Sequence, residues 1–566
     1  MGGSGGGGLG LGGGTPRYDS CTSGACQHLC WVQALSFVPG VAVLFAIFVS
    51  SALAQDLVLT KEITDPLPPG SFVFLPFEVP AGVAELAFSH VDTSGETGDR
   101  SITDVGLLGP DGALRGWSGG NNETVVIAEH NATRGYLPGV VDAGEWTVLV
   151  GLPGAQAVPY VFTAELIFRA ESTLPADPDR GPWVDAGVLR AGEAWVAGDV
   201  HVHSEHSGDA RPSLDEVAEA AEAAGLDFVV LSEHNTTSHL TQLSAVQARH
   251  PDVLLIPGVE WTSHRGHALG LGAVEAVPFW VGADGLGVVE AAEKLHDQGA
   301  LVAPAHPGLA LGDLCLGCAW EHELPSVWLH AIEVQTLDID RIGTFLYDAA
   351  VGMWDDVSDE GVHIAALGGS DSHNGAEAEG ITQSPVGVPI TMVQVDELCV
   401  SGVLEGIRSG RTTVRLAGLA SPMVVLDAPG RVGDSVSAQS VAVEFVVEGG
   451  AGHTLRVIED GVEVDVLDVD TDPWTGRWTV TAPATGERRV RGELQLEGQP
   501  RTVTSHVWVR RPAEDTAAGD GGETAKDRDC GCVAVSGGAM GAWVGLSVWA
   551  LFRRQDPVPV GRGGST

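Results

Sequence analysis

GDVHVHSEHSGD, residues 198–209, is the stretch that decides how this chain is read. Val200 to His203 has the apolar run of a β-strand. Side chains alternate along a strand, so His201 and His203 point to one face and can grip one ion. Asp209 follows within the same loop. The pattern then repeats downstream: LSEHN (231–235) supplies His234, PGVEW (257–261) Glu260 and GHALGLG (266–272) His267. PAHP (304–307) adds His306, and GGSDSH (368–373) adds Asp371 and His373. Histidines and carboxylates grouped in this way hold divalent metals, and clustered metals in a cleft activate water. Glu260 ends an apolar strand, where a carboxylate without a partner is costly; bridging two ions would explain its place.

Working outward, apolar strands alternate with helical segments from about Ala194 to Leu416. Val200–His203, Phe228–Ser232, Val253–Val259, Leu301–Ala305, Ala331–Val334 and Ile364–Gly368 read as strands. Ser213–Ala224, Gly287–Gln298, Ile342–Glu360 and Val395–Ser409 read as helices, with Ser213 and Glu216 forming a capping box. Repeated strand–helix units predict a parallel α/β barrel, and each candidate ligand falls at or just beyond the C-terminal end of a strand, where barrel sites are built.

The flanks differ. Residues 55–181 carry short alternating runs such as Phe72–Leu75 and Trp146–Val150, punctuated by Pro-Gly and Asp-Gly turns, and predict an all-β sandwich. The aromatics of Gly116-Trp117-Ser118-Gly119 are expected to serve packing or domain contact. Residues 422–510 predict a second, smaller sandwich, and 511–529 a polar, glycine-rich tether. The expected class is therefore α/β, a barrel over 195–416 between two β domains.

Both termini carry export-type signals. Residues 1–54 read as a leader whose apolar run, 37–54, closes in Ala52-Leu53-Ala54, the pattern of a signal-peptidase site. Its long glycine-rich start departs from the usual form, and an uncleaved anchor helix is the alternative. Residues 533–552 are 20 residues without a charge, followed by Arg553 and Arg554, enough to span a bilayer. With Cys530 and Cys532 just before, the segment 530–566 resembles the myxobacterial C-terminal sorting signal. That resemblance implies cleavage near the cysteines and attachment to the cell surface through lipid; a plain transmembrane anchor is the alternative.

The 566 residues carry 30 Lys+Arg against 75 Asp+Glu, a formal net charge of −45. Such a surface repels phosphate backbones and argues against nucleic-acid partners. Of eight cysteines only Cys315, Cys318 and Cys399 lie in the folded middle, so the chain is not a disulfide scaffold. Cys315-Leu316-Gly317-Cys318 reads as a local disulfide or thiol pair, with a zinc knuckle including His322 as the alternative.

The ordered series His-x-His, strand-end His, strand-end Glu, Pro-x-His-Pro and Ser-Asp-x-His resembles the PHP superfamily (polymerase and histidinol phosphatase domain) over residues 195–416. The β domains and the phrase Arg115-Gly116-Trp117-Ser118-Gly119 further resemble its carbaryl-hydrolase-like branch. The resemblance implies a distorted (β/α)7 barrel with two or three zinc, manganese or iron ions. It implies that His201, His203, Glu260 and Asp371 hold the first. Glu260 bridges to a second completed by His267 and His306, and Asp209, His234 and His373 hold a third. His206 or Glu205 competes with Asp209, because the loop is one residue longer than the commonest form, and His264 competes with His267. His239, His250, His296, His322, His330 and His363 carry no spacing signal. His234 or Asp371 is the expected proton shuttle. Arg411 is expected either to bind a substrate anion or to close the barrel.

The expected activity is hydrolysis of a small-molecule ester, most often a phosphoester in this family, with carboxylester, amide or carbamate chemistry on the same centre as the alternative. A surface adhesion or carbohydrate-binding protein on a degenerate barrel would have lost several of these ligands, and every motif position is filled.

Overall fold

Strand-forming alternation dominates the N-terminal region. In β8 (Tyr160–Arg169), Tyr160, Phe162, Ala164, Leu166 and Phe168 all turn inward while their neighbours face out. The strands before it are β1 (Ala54–Ile63), β2 (Ser71–Val79), β3 (Glu85–Asp92), β4 (Asp104–Leu108), β5 (Leu114–Gly119), β6 (Val125–Ala128) and β7 (Gly144–Leu152). They make two antiparallel four-stranded sheets, β1-β8-β3-β6 and β2-β7-β4-β5, which share one apolar core around Trp146, Tyr136 and Phe88. This computed structural model describes residues 54–512 apart from 94–101, 155–157, 312–316, 378–379, 381–382, 428 and 430. The expected leader up to residue 53, most of the tether and the C-terminal sorting segment lie outside the described residues. Among the described residues no helix is long and apolar enough to cross a membrane.

The central region is mixed α/β. β9 (Arg190–Val202), β10 (Phe228–His234) and β11 (Leu254–Ser263) run parallel, with α1 (Leu214–Ala224) and α2 (Leu240–Arg249) between them. The Ser213–Glu216 capping box starts α1, and Gly225 ends it in the left-handed conformation. β12 (Gly266–Leu271) doubles back antiparallel on β11, because the turn between Ser263 and Gly266 is too short for a crossover. After α3 (Val288–Asp297), β13 (Leu301–Pro304) pairs with β12. β14 (Ala331–Thr336) and β15 (Ala365–Gly369) form a separate parallel pair, with α4 (Ile339–Ile342) and α5 (Phe345–Asp359) between them. Backbone bonds from Asp371 to His201 (2.8 Å) and from His203 to Ser372 (3.0 Å) stitch the exit of β15 to that of β9.

Several elements differ from the sequence expectation. The strands are not uniformly parallel, and β12 and α2 are additional. Val395–Ser409 is not one helix: Val395 to Leu398 end β16 (Ile390–Leu398), held antiparallel to β9, and α6 (Val400–Arg408) starts only after Cys399. Cross-strand pairing overrides helix propensity there. The expected helix 342–360 is α5 and starts only at Phe345; Ile342 closes the short α4, which ends at Gly343 with φ 78°.

β17 (Thr412–Arg415) leads into the C-terminal strands: β18 (Met423–Asp427), β19 (Ser435–Ser437), β20 (Ser440–Glu448), β21 (His453–Glu459) and β22 (Val462–Val469), then β23 (Trp474–Thr481), β24 (Glu487–Leu496), β25 (Gln499–Thr504) and β26 (Val507–Arg510). β18, β20 and β23 form one sheet. β25 pairs with β17, so β24, β21 and β22 prolong the central sheet rather than standing apart from it. A buried bidentate pair, Arg491 to Asp355 at 2.6 and 3.0 Å, ties β24 to α5.

Candidate metal centre

The strand ends place the candidate ligands around one point. His201 lies on β9 and His203 just beyond it, and both are fully buried. Their Nε2 atoms are 3.1 Å apart. Glu260 Oε2, from β11, is 3.6 Å from His201 Nε2 and 3.5 Å from His203 Nε2. Asp371 Oδ1, after β15, is 3.3 and 3.2 Å from the same two nitrogens. An ion with bonds of about 2.0–2.1 Å separates tetrahedral ligand atoms by about 3.3 Å, so each of the two carboxylate oxygens stands at ligand spacing from both imidazoles. Asp371 Oδ1 is buried without a hydrogen-bond partner, and Glu260 Oε2, also buried, has His234 Nδ1 at 2.7 Å. Carboxylate oxygens buried like these are expensive unless a cation answers them.

Two further groups adjoin the first. Glu260 Oε1 is 3.0 Å from His267 Nδ1, on β12, and 3.0 Å from His306 Nε2, after β13. Asp209 Oδ2 is 3.5 Å from both His234 Nε2 and His373 Nε2, which are 3.4 Å from each other. All nine candidate side chains therefore converge, and Glu260 faces two groups at once. His306 and Asp371 adopt positive φ, 31° and 53°, and Asn235 beside His234 has 54°. Left-handed non-glycine residues are strained, and their concentration at these strand ends marks a place where position outweighs backbone comfort.

The other ring nitrogens are anchored to oxygens, which turns the Nε2 atoms inward. His203 Nδ1 meets Ser207 Oγ at 2.8 Å, His306 Nδ1 the Cys318 carbonyl at 3.2 Å, and His373 Nδ1 the Asp371 carbonyl at 3.0 Å. His201 Nδ1 meets Glu333 at 3.1 Å. Such outer partners fix the tautomer of a metal-binding imidazole. Burial, then His373 and His234 beside it, push His203 down to about 3, leaving it neutral as a ligand must be.

Sequence reasoning missed the acidic outer ring. Glu333, fully buried on β14, also accepts the His306 N–H at 2.7 Å. Glu233 accepts from Ser204 and Ser207 at 2.5 and 2.6 Å. Burial pushes it up to about 7 against those bonds. Asp199 accepts from the backbone N–H of His201, Ser370 and Gly387 at 3.2, 2.9 and 2.8 Å, and burial pushes it up to about 6. The available signal was a charged residue inside an apolar strand, AIEVQT for Glu333 and GDV for Asp199.

The alternatives separate cleanly. His206 turns away, bonding Ser238 Oγ at 2.8 Å and Gln242 at 3.0 Å, and burial pushes it down to about 4. His264 bonds Asp104 at 3.0 Å and stacks flat on Phe72 at 4.5 Å, joining β2 and β4 to the rim of the site. Cys318 is disulfide-bonded, so it is no zinc thiolate; Cys315 lies outside the described residues. His322 bonds Ser263 through Nε2 at 2.7 Å, so the histidine of the zinc-knuckle alternative is engaged elsewhere. His250, His296, His330 and His363 pair with Asp215, the Trp328 carbonyl, Val302 N and Glu487, and His239 is buried. Arg411 sits at the α6–β17 turn, its backbone bonded to Gly406 and Gln394, and is not among the residues lining the cavity.

A cavity of about 580 Å³ opens over the cluster, lined by Asp209, His234, Glu260, His267, His306, Asp371 and His373. Its opposite wall comes from the N-terminal sheets: Ile102, Asp104, Trp117 to Asn121 and Pro153. Trp117 was expected to serve packing or domain contact, and it packs on Phe279 of the central region at 4.5 Å; the end of its strand β5 also lines the cavity.

No family model matches this sequence, and no curated protein matches it. Among solved structures, the chain is similar to a two-domain protein from Bacteroides vulgatus containing a predicted PHP-like metal-dependent phosphoesterase. Identity is 18%, coverage 59% of this chain and 100% of that one, and the TM-score 0.32. It is also similar to an amidohydrolase from Chromobacterium violaceum, solved with sulfate and no metal, at 17% identity over 33% of this chain and 93% of that one, TM-score 0.23. A CARDB domain from Pyrococcus furiosus matches at 17% identity over 16% of this chain and 94% of that one, TM-score 0.13. Likeness at these scores carries no argument about this chain.

Proposed function

We propose that this protein is a metal-dependent hydrolase of the PHP type, built on a distorted α/β barrel, that cleaves small phosphoesters. The observation that carries the reading is that one oxygen of Glu260 and one of Asp371, both buried, each stand at ligand spacing from both His201 and His203. His267 and His306 would share Glu260 with it, and Asp209, His234 and His373 would hold a further ion. Imidazole and carboxylate donors suit Zn, Mn and Fe. Divalent ions there would make water a ready nucleophile near neutral pH and polarise the ester oxygen.

The chain's own groups do the remaining work. The outer carboxylates hold the imidazoles in register, and the N-terminal wall closes the cavity over the substrate. Proton delivery to the leaving group needs a side chain that carries a proton. Against burial, the imidazoles around Asp371 hold its carboxyl well down. Against burial, Asp209 and Glu260 hold His234 well up, so His234 is the better candidate of the two. Ile102, Trp117 and Pro153 on the wall make room for an apolar group, which also suits a carboxylester, amide or carbamate. Export and attachment through the C-terminal segment belong to the same proposal, resting on the sequence alone.

The test is hydrolysis of p-nitrophenyl phosphate, bis-p-nitrophenyl phosphate and p-nitrophenyl acetate by the full chain loaded with Zn or Mn. Chelator-sensitive turnover of either phosphoester, lost in His203→Ala, is expected. Turnover of the acetate alone would move the chemistry to carboxylesters, and turnover that survives chelation would overturn the metal reading.

A further inference from the structure

Asp209 is the odd ligand of the centre. Its side chain is 61% exposed, whereas Glu260 is fully buried. It lines the open cavity and meets His234 and His373 only at 3.5 Å, so its position depends on the loop that carries it. From inside, that loop is fixed by Ser204 and Ser207, both hydrogen-bonded to Glu233. Backbone bonds from Glu205 to Pro212 and from Arg211 to His373 close its ends. Just before Asp209, the outward-facing carbonyl of Gly208 accepts a hydrogen bond of 2.9 Å from Asn121 Nδ2, which belongs to the N-terminal sheets. Asn121 Oδ1 accepts from Glu123 N at 2.9 Å, so both ends of the amide are engaged and its orientation is set. Gly208 has φ 87°, and a Cβ there would approach the Ser118 carbonyl to 3.0 Å. The N-terminal loop thus lies directly on the Gly208 backbone.

We propose that Asn121 is a positioning residue for the metal centre: by holding the Gly208 carbonyl it sets Asp209 against His234 and His373, so the N-terminal β region completes the site for one ion. This rests on the reading of the nine side chains as a metal centre. It gives the N-terminal region a role in the chemistry rather than one of separate binding. Loss of an outer partner of a metal ligand lowers affinity by about 10–100-fold.

The test is equilibrium dialysis of the full chain against Zn or Mn with elemental analysis, on wild type, Asn121→Ala, Asp209→Ala and the double variant, beside thermal melts of each without metal. One class of ion should weaken by about 10–100-fold in Asn121→Ala, with the other ions retained and the melting temperature nearly unchanged. Asp209→Ala should lose that class, and adding Asn121→Ala to it should change nothing more. Asn121→Asp, which keeps the shape but cannot donate to a carbonyl, should behave like the alanine variant. Wild-type stoichiometry and affinity in Asn121→Ala would overturn this inference alone. Wild type without stoichiometric metal would overturn the metal centre and this inference with it.

Discussion

Replacing Glu333 by Gln tests the outer ring at its most demanding point. Glu333 is fully buried and touches two ligand residues: its carboxylate lies 3.1 Å from His201 Nδ1 and accepts the His306 N–H at 2.7 Å. A carboxylate can only accept, so Nδ1 must carry the His201 proton and Nε2 keeps its lone pair for the ion. A glutamine can satisfy the His306 N–H through its oxygen, but its NH2 then faces Nδ1 and drives the ring to the other tautomer. That places a proton on Nε2, 3.1 Å from His203 Nε2, where an ion should sit. Losing the charge-assisted bond costs about 1.5–3 kcal/mol. This agrees with about a 10–100-fold drop in metal affinity, equal to about 1.4–2.8 kcal/mol. The assay is competition for zinc against a chromophoric chelator, with circular dichroism to follow the fold. Glu333→Gln with unchanged zinc affinity and a native fold would refute the argument that this carboxylate sets the tautomer of His201.

Further outcomes follow from the same geometry. In the metal-free chain, burial would lower His373, yet Asp209 and Asp371 hold it at about 9, and Asp209 and Glu260 hold His234 well up. Metal must displace these protons, so apparent affinity should rise with pH and level off above about 9; affinity independent of pH between 6 and 9, read by calorimetric titration, would contradict this. Without metal the same raised values stabilise the fold fully below about pH 6.5, and that contribution is lost as pH rises through about 9. A thermal melt series should show the metal-free chain losing stability over that window. Gly116→Ala should destabilise by about 1–3 kcal/mol in denaturant titration, because a Cβ there would lie 2.3 Å from the Tyr136 ring. His206→Ala should leave metal stoichiometry unchanged, since its ring bonds Ser238 and Gln242; loss of an ion would restore His206 as a ligand.

The side chains of the proposed centre were legible because each sits in a short motif at a strand end, and strand ends in α/β folds converge. Side-chain alternation alone put His201 and His203 on one face. The capping box at Ser213 was equally local. What escaped the sequence was whatever depends on distant pairing. β12 is a short strand defined by its partner β11, and Val395 to Leu398 are strand only because β9 lies beside them. Glu333 has no spacing to any histidine, and its role comes from β14 lying beside the exits of β9 and β13. Asn121 meets Gly208 across 87 residues of sequence, with no motif at either end.

Glu260, shared between two groups of imidazoles, is the side chain on which the proposed cluster of divalent ions depends. Quantitative elemental analysis of the purified full chain after dialysis against Zn or Mn, beside Glu260→Gln, tests it most directly. Wild type should hold two or three ions per chain, and a folded Glu260→Gln should lose most of that metal. A wild type without stoichiometric metal, or a Glu260→Gln variant that keeps its full complement, would contradict it.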